Sequence, residues 1–212
     1  MELINKYFPE LSIIQSKRLS KLFELYTFWN ERVNVISRKD MHNFYLKHVL
    51  HCLAISKIIL FKKGAKVLDI GSGGGFPAIP LAIIHEDVRF FLSDSINKKT
   101  KVMAEVISAL ELNNAFVFNE RAENIDFEYN YVCCRAVASL SKLHDWINLS
   151  RRKGGGSKRL NYYFLKGGDL DEEIKEFRQK FNRPVSLKQI KIPDIFNEPI
   201  FEDKYIISIE DV

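Results

Sequence analysis

The chain has 212 residues, 46% hydrophobic and 28% charged, which is enough apolar side chain for a substantial core and excludes an intrinsically disordered polymer. Lys and Arg exceed Asp and Glu by 32 to 27, and the resulting net charge of +5 permits a polyanionic partner without requiring one. No apolar run approaches a bilayer span, the start MELINKYFPELS lacks a secretion-signal pattern, and Cys52, Cys133 and Cys134 cannot make an evenly paired disulfide framework, so a soluble cytoplasmic protein is expected.

Apolar residues recur at helical spacing through residues 16–34, at Leu19, Leu22, Phe23, Tyr26 and then Trp29 or Val33. The pattern repeats through residues 41–60, at Phe44, Leu46, Val49, Leu53, Ile55 and Ile58. Two helices are therefore predicted within a helical N-terminal region, residues 1–63. After Gly64 the pattern changes to short apolar runs: KVLDI, RFFLSD, AFVFN, YVCCRAVA, NYYFLKG, SLKQIKI and KYIISIE. The first five alternate with helical stretches such as 98–112, which predicts parallel β-α units with right-handed crossovers. Only a loop separates the last two, so they are expected to pair antiparallel at one edge. The expected fold is one α/β domain over residues 1–212, with residues 64–212 as its open-sheet core and the ligand beyond the carboxyl ends of the strands.

Gly71, Gly73 and Gly75 lie in GSGGGFPAIP, where KVLDI gives way to a helix. Glycines at such a turn allow close backbone approach to a ligand, and the helix start offers unpaired N–H groups to an anion. Pro77 and Pro80 suit a first helical turn, where a missing N–H costs little. A dinucleotide fingerprint needs a third glycine where this chain has Phe76, so that pattern fails. Asp94, at the end of RFFLSD, stands where ribose hydroxyls would be held. A ribose without a pyrophosphate points to an adenosyl ligand such as S-adenosylmethionine. His48, His51 and Cys52 share one helical turn but lack further ligands at metal spacing, so they are read as helix packing and no metal is expected. Adjacent Cys133 and Cys134 read as small residues of a buried strand, since nothing nearby suggests thiolate activation.

In order and approximate spacing, GSGGGFPAIP, DSINKK from Asp94, RAE from Arg121, CRAVASL from Cys134 and LKGG from Leu165 resemble the GidB/RsmG family of bacterial small-subunit ribosomal RNA methyltransferases. WNERVNVISRKD, residues 29–40, is similar to the stretch preceding the core in that family, and recognisable motifs run over residues 29–168. One departure is HVLHCL, where His51 and Cys52 stand in place of the family's Asp and Ser. The resemblance implies a class I, Rossmann-like methyltransferase fold, S-adenosyl-L-methionine as donor and N7 of one guanine in 16S ribosomal RNA as acceptor. It implies as partner the 16S rRNA, the small subunit or an assembly intermediate, met by a monomer. Carried over position by position, the cofactor contacts fall on Gly71, Phe76, Ala122, Glu123 and Arg135, with Asp94 added from its place in the strand pattern.

Guanine N7 has a lone pair and no proton, so transfer needs no general base and its rate comes mainly from orientation. No catalytic acid or base is assigned, and Arg135 is read as a positioning group that binds a methionyl carboxylate or an RNA phosphate. Arg151, Arg152, Lys158 and Arg159 surround glycines in RRKGGGSKR, a flexible cationic loop suited to RNA phosphates. Methylation at another RNA position, or of a small molecule, remains the alternative at this stage.

Overall fold

The computed structural model describes residues 1–157, 159–180 and 186–210. A short helix α1 (Glu2–Tyr7) precedes α2 (Ile13–Asn30). Ser12 starts α2 with a reciprocal capping box, its Oγ accepting from the Gln15 amide at 3.2 Å while Gln15 Oε1 accepts from the Ser12 amide at 2.9 Å. The helix buries Leu19, Leu22, Tyr26 and Asn30. It starts earlier and stops earlier than the spacing predicts, and Phe23, expected inside, is 43% exposed. The second expected helix is broken into a 3-10 segment Arg38–Asn43, a wide π turn Tyr45–Leu50 and α3 (His51–Ile58). The wide turn buries His48, Val49 and Leu50 in succession.

The strands are β1 (Lys66–Ile70), β2 (Arg89–Ser93), β3 (Ala115–Phe118), β4 (Tyr131–Arg135), β5 (Asn161–Gly167), β6 (Ser186–Lys191) and β7 (Lys204–Glu210). They form a seven-stranded sheet in the order β3-β2-β1-β4-β5-β7-β6. The first five are parallel, while β7 runs antiparallel to both β5 and β6. The last two strands pair antiparallel as expected, and in addition β7 inserts between β5 and β6. Helices α4 (Ala78–Ile84), α5 (Asn97–Ala109), α6 (Leu140–Arg152) and α7 (Asp171–Lys180) connect the strands.

Strand alternation divides the interior into two layers. Val67, Phe90, Leu92, Tyr131, Cys133 and Tyr163 pack with α4, α5 and the leading helices in one cluster. Leu68, Ile70, Val132, Cys134, Tyr162 and Phe164 pack with α6 and α7 in the other. Strand order reverses between β1 and β4, and the crevice at their carboxyl ends is where an open α/β sheet holds its ligand.

Candidate active site

Strand β1 leads into the glycine loop, where Gly71 has φ +63° and Gly73 φ +58°. These left-handed conformations favour glycine. A Cβ on Gly71 would stand 2.7 Å from Val137 Cγ2, so the loop after β4 lies directly on this glycine. Among the described residues, a Cβ on Gly73 would meet only the Gly71 carbonyl oxygen, at 3.9 Å, which leaves that backbone open to a ligand. Pro77 precedes α4, and Pro80 falls within its first turn.

The end of β2 ties the loop down. Asp94 Oδ2 accepts from the Gly73 amide at 2.9 Å, and its Oδ1 accepts from the Ile96 amide at 2.8 Å. The carboxylate thus joins the glycine loop to the turn before α5. Each oxygen keeps a further lone pair, so ribose hydroxyls remain within its acceptor capacity. Asp69 lies behind the loop, fully buried, with Oδ2 accepting from the Ala78 amide at 3.2 Å; burial pushes its carboxyl up to about 7. It staples β1 to the first turn of α4 and does not line the cleft.

Gly71, Phe76, Asp94, Ala122, Glu123 and Arg135 come together around one cleft of about 440 Å³. Ala122 and Glu123 belong to a 3-10 turn, Ala122–Asn124, that follows β3. Phe76 is 3% exposed and packs on Tyr26 at 4.9 Å between ring centroids, so little of it reaches the cleft. Arg135 ends β4, its guanidinium 5.0 Å from the Phe76 ring centroid and its Nη1 donating to the Lys47 carbonyl at 3.3 Å. No acidic side chain pairs with it among the described residues. Its guanidinium lines the cleft, where it can receive an anionic group.

Sequence reasoning missed Val35, Lys99, Val137 and Trp146, which also line the cleft. Lys99 lies inside the DSINKK motif and Val137 inside CRAVASL, so the motifs held a signal for both. Val35 likewise lies inside the WNERVNVISRKD stretch, whereas Trp146 arrives through the packing of a distant segment, which periodicity does not report.

Other residues lie elsewhere. Cys133 and Cys134 point into opposite layers of the core, and burial raises the Cys134 thiol to about 12 and that of Cys133 well above its ordinary value. Neither is an available nucleophile. His48 packs on Phe44 and Phe76, and His51 on Phe201. Helix α6 carries the chain from the carboxyl end of β4 to the amino end of β5, about 20 Å for 13 residues. Arg151, Arg152 and Arg159 therefore lie at the opposite end of the sheet from the cleft, and Lys158 is outside the described residues. The described residues of the expected cationic loop are not part of the cleft, because the helix before them carries the chain away from it.

A mostly parallel sheet with β7 inserted antiparallel beside β5, and a glycine-loop cleft at the switch point, define a class I methyltransferase. The fold matches that of a SAM-dependent methyltransferase from Aquifex aeolicus, with a TM-score of 0.58 over 80% of this chain and 93% of the other at 14% identity. The chain belongs to the rRNA small subunit methyltransferase G family, GidB, whose family model matches residues 15–195. It is 42% identical over 210 residues to the ribosomal RNA small subunit methyltransferase G of Christiangramia forsetii, covering 99% of this chain and 96% of that one. It is 48% identical over 181 residues to the protein of the same name from Porphyromonas gingivalis, covering 84% and 82%.

Proposed function

We infer that the chain transfers a methyl group from S-adenosylmethionine to N7 of a guanine in 16S ribosomal RNA. The observation that carries this reading is family membership over nearly the whole chain in a protein whose motif residues converge on one cleft. The residues present fit the donor. The open side of Gly73 admits a ligand against backbone, Asp94 has acceptor capacity for ribose hydroxyls, Glu123 can accept from an adenine amino group, and Arg135 suits a carboxylate. Ala122 leaves room for the adenine ring, and Phe76 backs the pocket. The donor supplies an electrophilic methyl on a sulfonium; the protein's part is to hold donor and acceptor in line and exclude water.

Two features suit N7 as the acceptor atom. The nitrogen carries no proton to remove, and the described cleft presents no side chain that must act as a base. The buried thiols weigh against pyrimidine C5 chemistry, which needs a free thiolate. We further propose that the protein works as a cytoplasmic monomer on the small subunit or an assembly intermediate. RNA would approach at the carboxyl end of the sheet, past Lys99 and Arg121, while Arg151, Arg152 and Arg159 would touch only RNA remote from the acceptor base.

The test compares 16S rRNA from a deletion strain and its parent by N7-methylguanine-specific strand cleavage. One cleavage product present in the parent and absent from the deletion strain, restored by the gene, is expected. Identical patterns overturn the reading.

A further inference from the structure

The LKGG motif has no place in the cleft, yet its lysine reaches the cleft's wall through another chain segment. Lys166, on β5, donates from Nζ to the Ala138 carbonyl at 2.6 Å and to Glu173 Oε1 at 2.7 Å. The same Glu173 oxygen, on α7, accepts from the Leu140 amide at 2.7 Å. Lys166 and Glu173 side chains are 11% and 23% exposed. One ion pair therefore grips the β4–α6 connection at residue 138 from its carbonyl side and at residue 140 from its amide side.

That connection is strained and it faces the ligand space. Ala136 sits at φ +53°, a conformation that costs a non-glycine residue energy and persists only where its surroundings hold it. Immediately before it is Arg135; immediately after it is Val137, 38% exposed in the cleft, with its methyl groups over Gly71. Neither Lys166 nor Glu173 lines the cleft.

We propose that Glu173, acting through Lys166 and the Leu140 amide, is a positioning residue that holds the strained 136–139 turn and so sets where Arg135 and Val137 stand in the methyl-transfer site. The inference rests on the proposed function of the cleft. The carboxylate satisfies an orphan N–H in the first turn of α6 while its counterion fixes the carbonyl two residues earlier, so the turn cannot relax without breaking both. A displacement of about 1 Å in a wall residue is enough to lower an orientation-dependent rate by two orders of magnitude.

The experiment uses the full chain with Glu173→Ala, Glu173→Gln, Lys166→Met and, as a control on the exposed face of α7, Glu172→Ala. Amide hydrogen exchange over 136–140 is read beside the single-turnover methylation rate on small subunits from the deletion strain at saturating donor. Circular dichroism confirms that each variant is folded at the assay temperature. Glu173→Ala and Lys166→Met are expected to speed exchange in 136–140 at least tenfold, leave β1 and α4 unchanged, and slow transfer tenfold to a hundredfold. Glu173→Gln keeps an acceptor oxygen and recovers most of both, and Glu172→Ala behaves as wild type. Unchanged exchange in 136–140, or faster exchange with an unchanged transfer rate, overturns the proposal. If the wild-type protein methylates no small subunit, the functional reading fails instead, and exchange alone then decides whether the pair holds the wall.

Discussion

Asn30 grips the backbone of Ile36 from both sides, its Oδ1 accepting from the Ile36 amide at 2.9 Å and its Nδ2 donating to the Ile36 carbonyl at 2.8 Å. The same Oδ1 accepts from the Val35 amide at 2.9 Å. Asn30 is 4% exposed, so one buried amide replaces the regular structure that the chain lacks after α2. This clamp lays Val35 against Gly74, where a Cβ on the glycine would stand 3.1 Å from Val35 Cβ. Tyr26, one turn earlier on α2, donates its hydroxyl to the Gly74 carbonyl. The leading helix thus braces the glycine loop.

Asn30→Ala leaves those backbone groups without partners in a buried place, and an unsatisfied group costs about 1 to 3 kcal/mol. A loss of about 2 kcal/mol or more in urea unfolding is expected, together with weaker binding of S-adenosylhomocysteine. Asn30→Asp keeps the two accepted bonds but sets a carboxylate against the Ile36 carbonyl. It should be destabilised as well, and increasingly so above the carboxyl's titration range.

Two glycines of one loop should respond in different ways. Gly73→Ala places its methyl in open cleft, so the protein should fold with a strain cost of about 1 kcal/mol while affinity for S-adenosylhomocysteine drops at least tenfold by calorimetry. Gly75→Ala drives a Cβ to 2.4 Å from Ile79 Cδ1, inside the core and away from the cleft. Its defect should appear first as a lower melting temperature. Equal affinity in Gly73→Ala and wild type would place the donor elsewhere.

The sheet was legible because strand residues obey local rules. Every apolar run but YVCCRAVA became a strand with its ends within a residue, and the Gly-Ser-Gly turn with Asp94 marked the cleft. YVCCRAVA shows the limit: β4 stops at Arg135 where Ala136 turns left-handed, and the groups that hold the turn after it, Lys166 on the Ala138 carbonyl and Glu173 on the Leu140 amide, come from sheet and helix partners far away in sequence. Residues 41–60 misled for another reason. A helical spacing of apolar residues does not distinguish a continuous α-helix from a π turn joined to a shorter one. Trp146 was invisible as a site residue because it reaches the cleft only once α6 has docked.

Acid stability should be governed by buried histidines. Burial, with a contribution from the Arg135 charge, lowers His48 to about 4, and burial lowers His85 to about 4. Both are neutral in the fold but protonate in the unfolded chain near 6.5, so the unfolded state gains protons and stability falls between about pH 6.5 and 4. Asp69 has the opposite sign. The native state holds its proton up to about 7 where the unfolded carboxyl releases it near 3.8, which partly offsets the loss on acidification. Among the described residues His48 has no hydrogen-bond partner for either ring nitrogen; it packs on Phe44 and Phe76, with Arg135, Asp40 and Lys47 as the charges that act on it. His48→Leu should therefore raise the melting temperature at pH 5 more than at pH 8. An equal gain at both values would mean that packing alone, and not protonation of the unfolded chain, sets the effect.

RNA binding should depend on the cleft end of the molecule. Arg121 lines the cleft with a side chain 71% exposed and holds Glu123 only loosely, at 3.8 Å, so its charge is available to a phosphate. Arg152 is exposed as well, yet it lies at the far end of α6. Each phosphate contact adds about 0.7 to 0.9 to the slope of log affinity against log salt. In binding to an rRNA fragment that bears the acceptor guanine, Arg121→Ala should lower the magnitude of that slope by about 1, whereas Arg152→Ala should leave it unchanged. The reverse result would mean that the fragment docks on the amino end of the sheet, about 20 Å from the methyl donor along α6, and the placement of the acceptor at the Arg121 rim would fall.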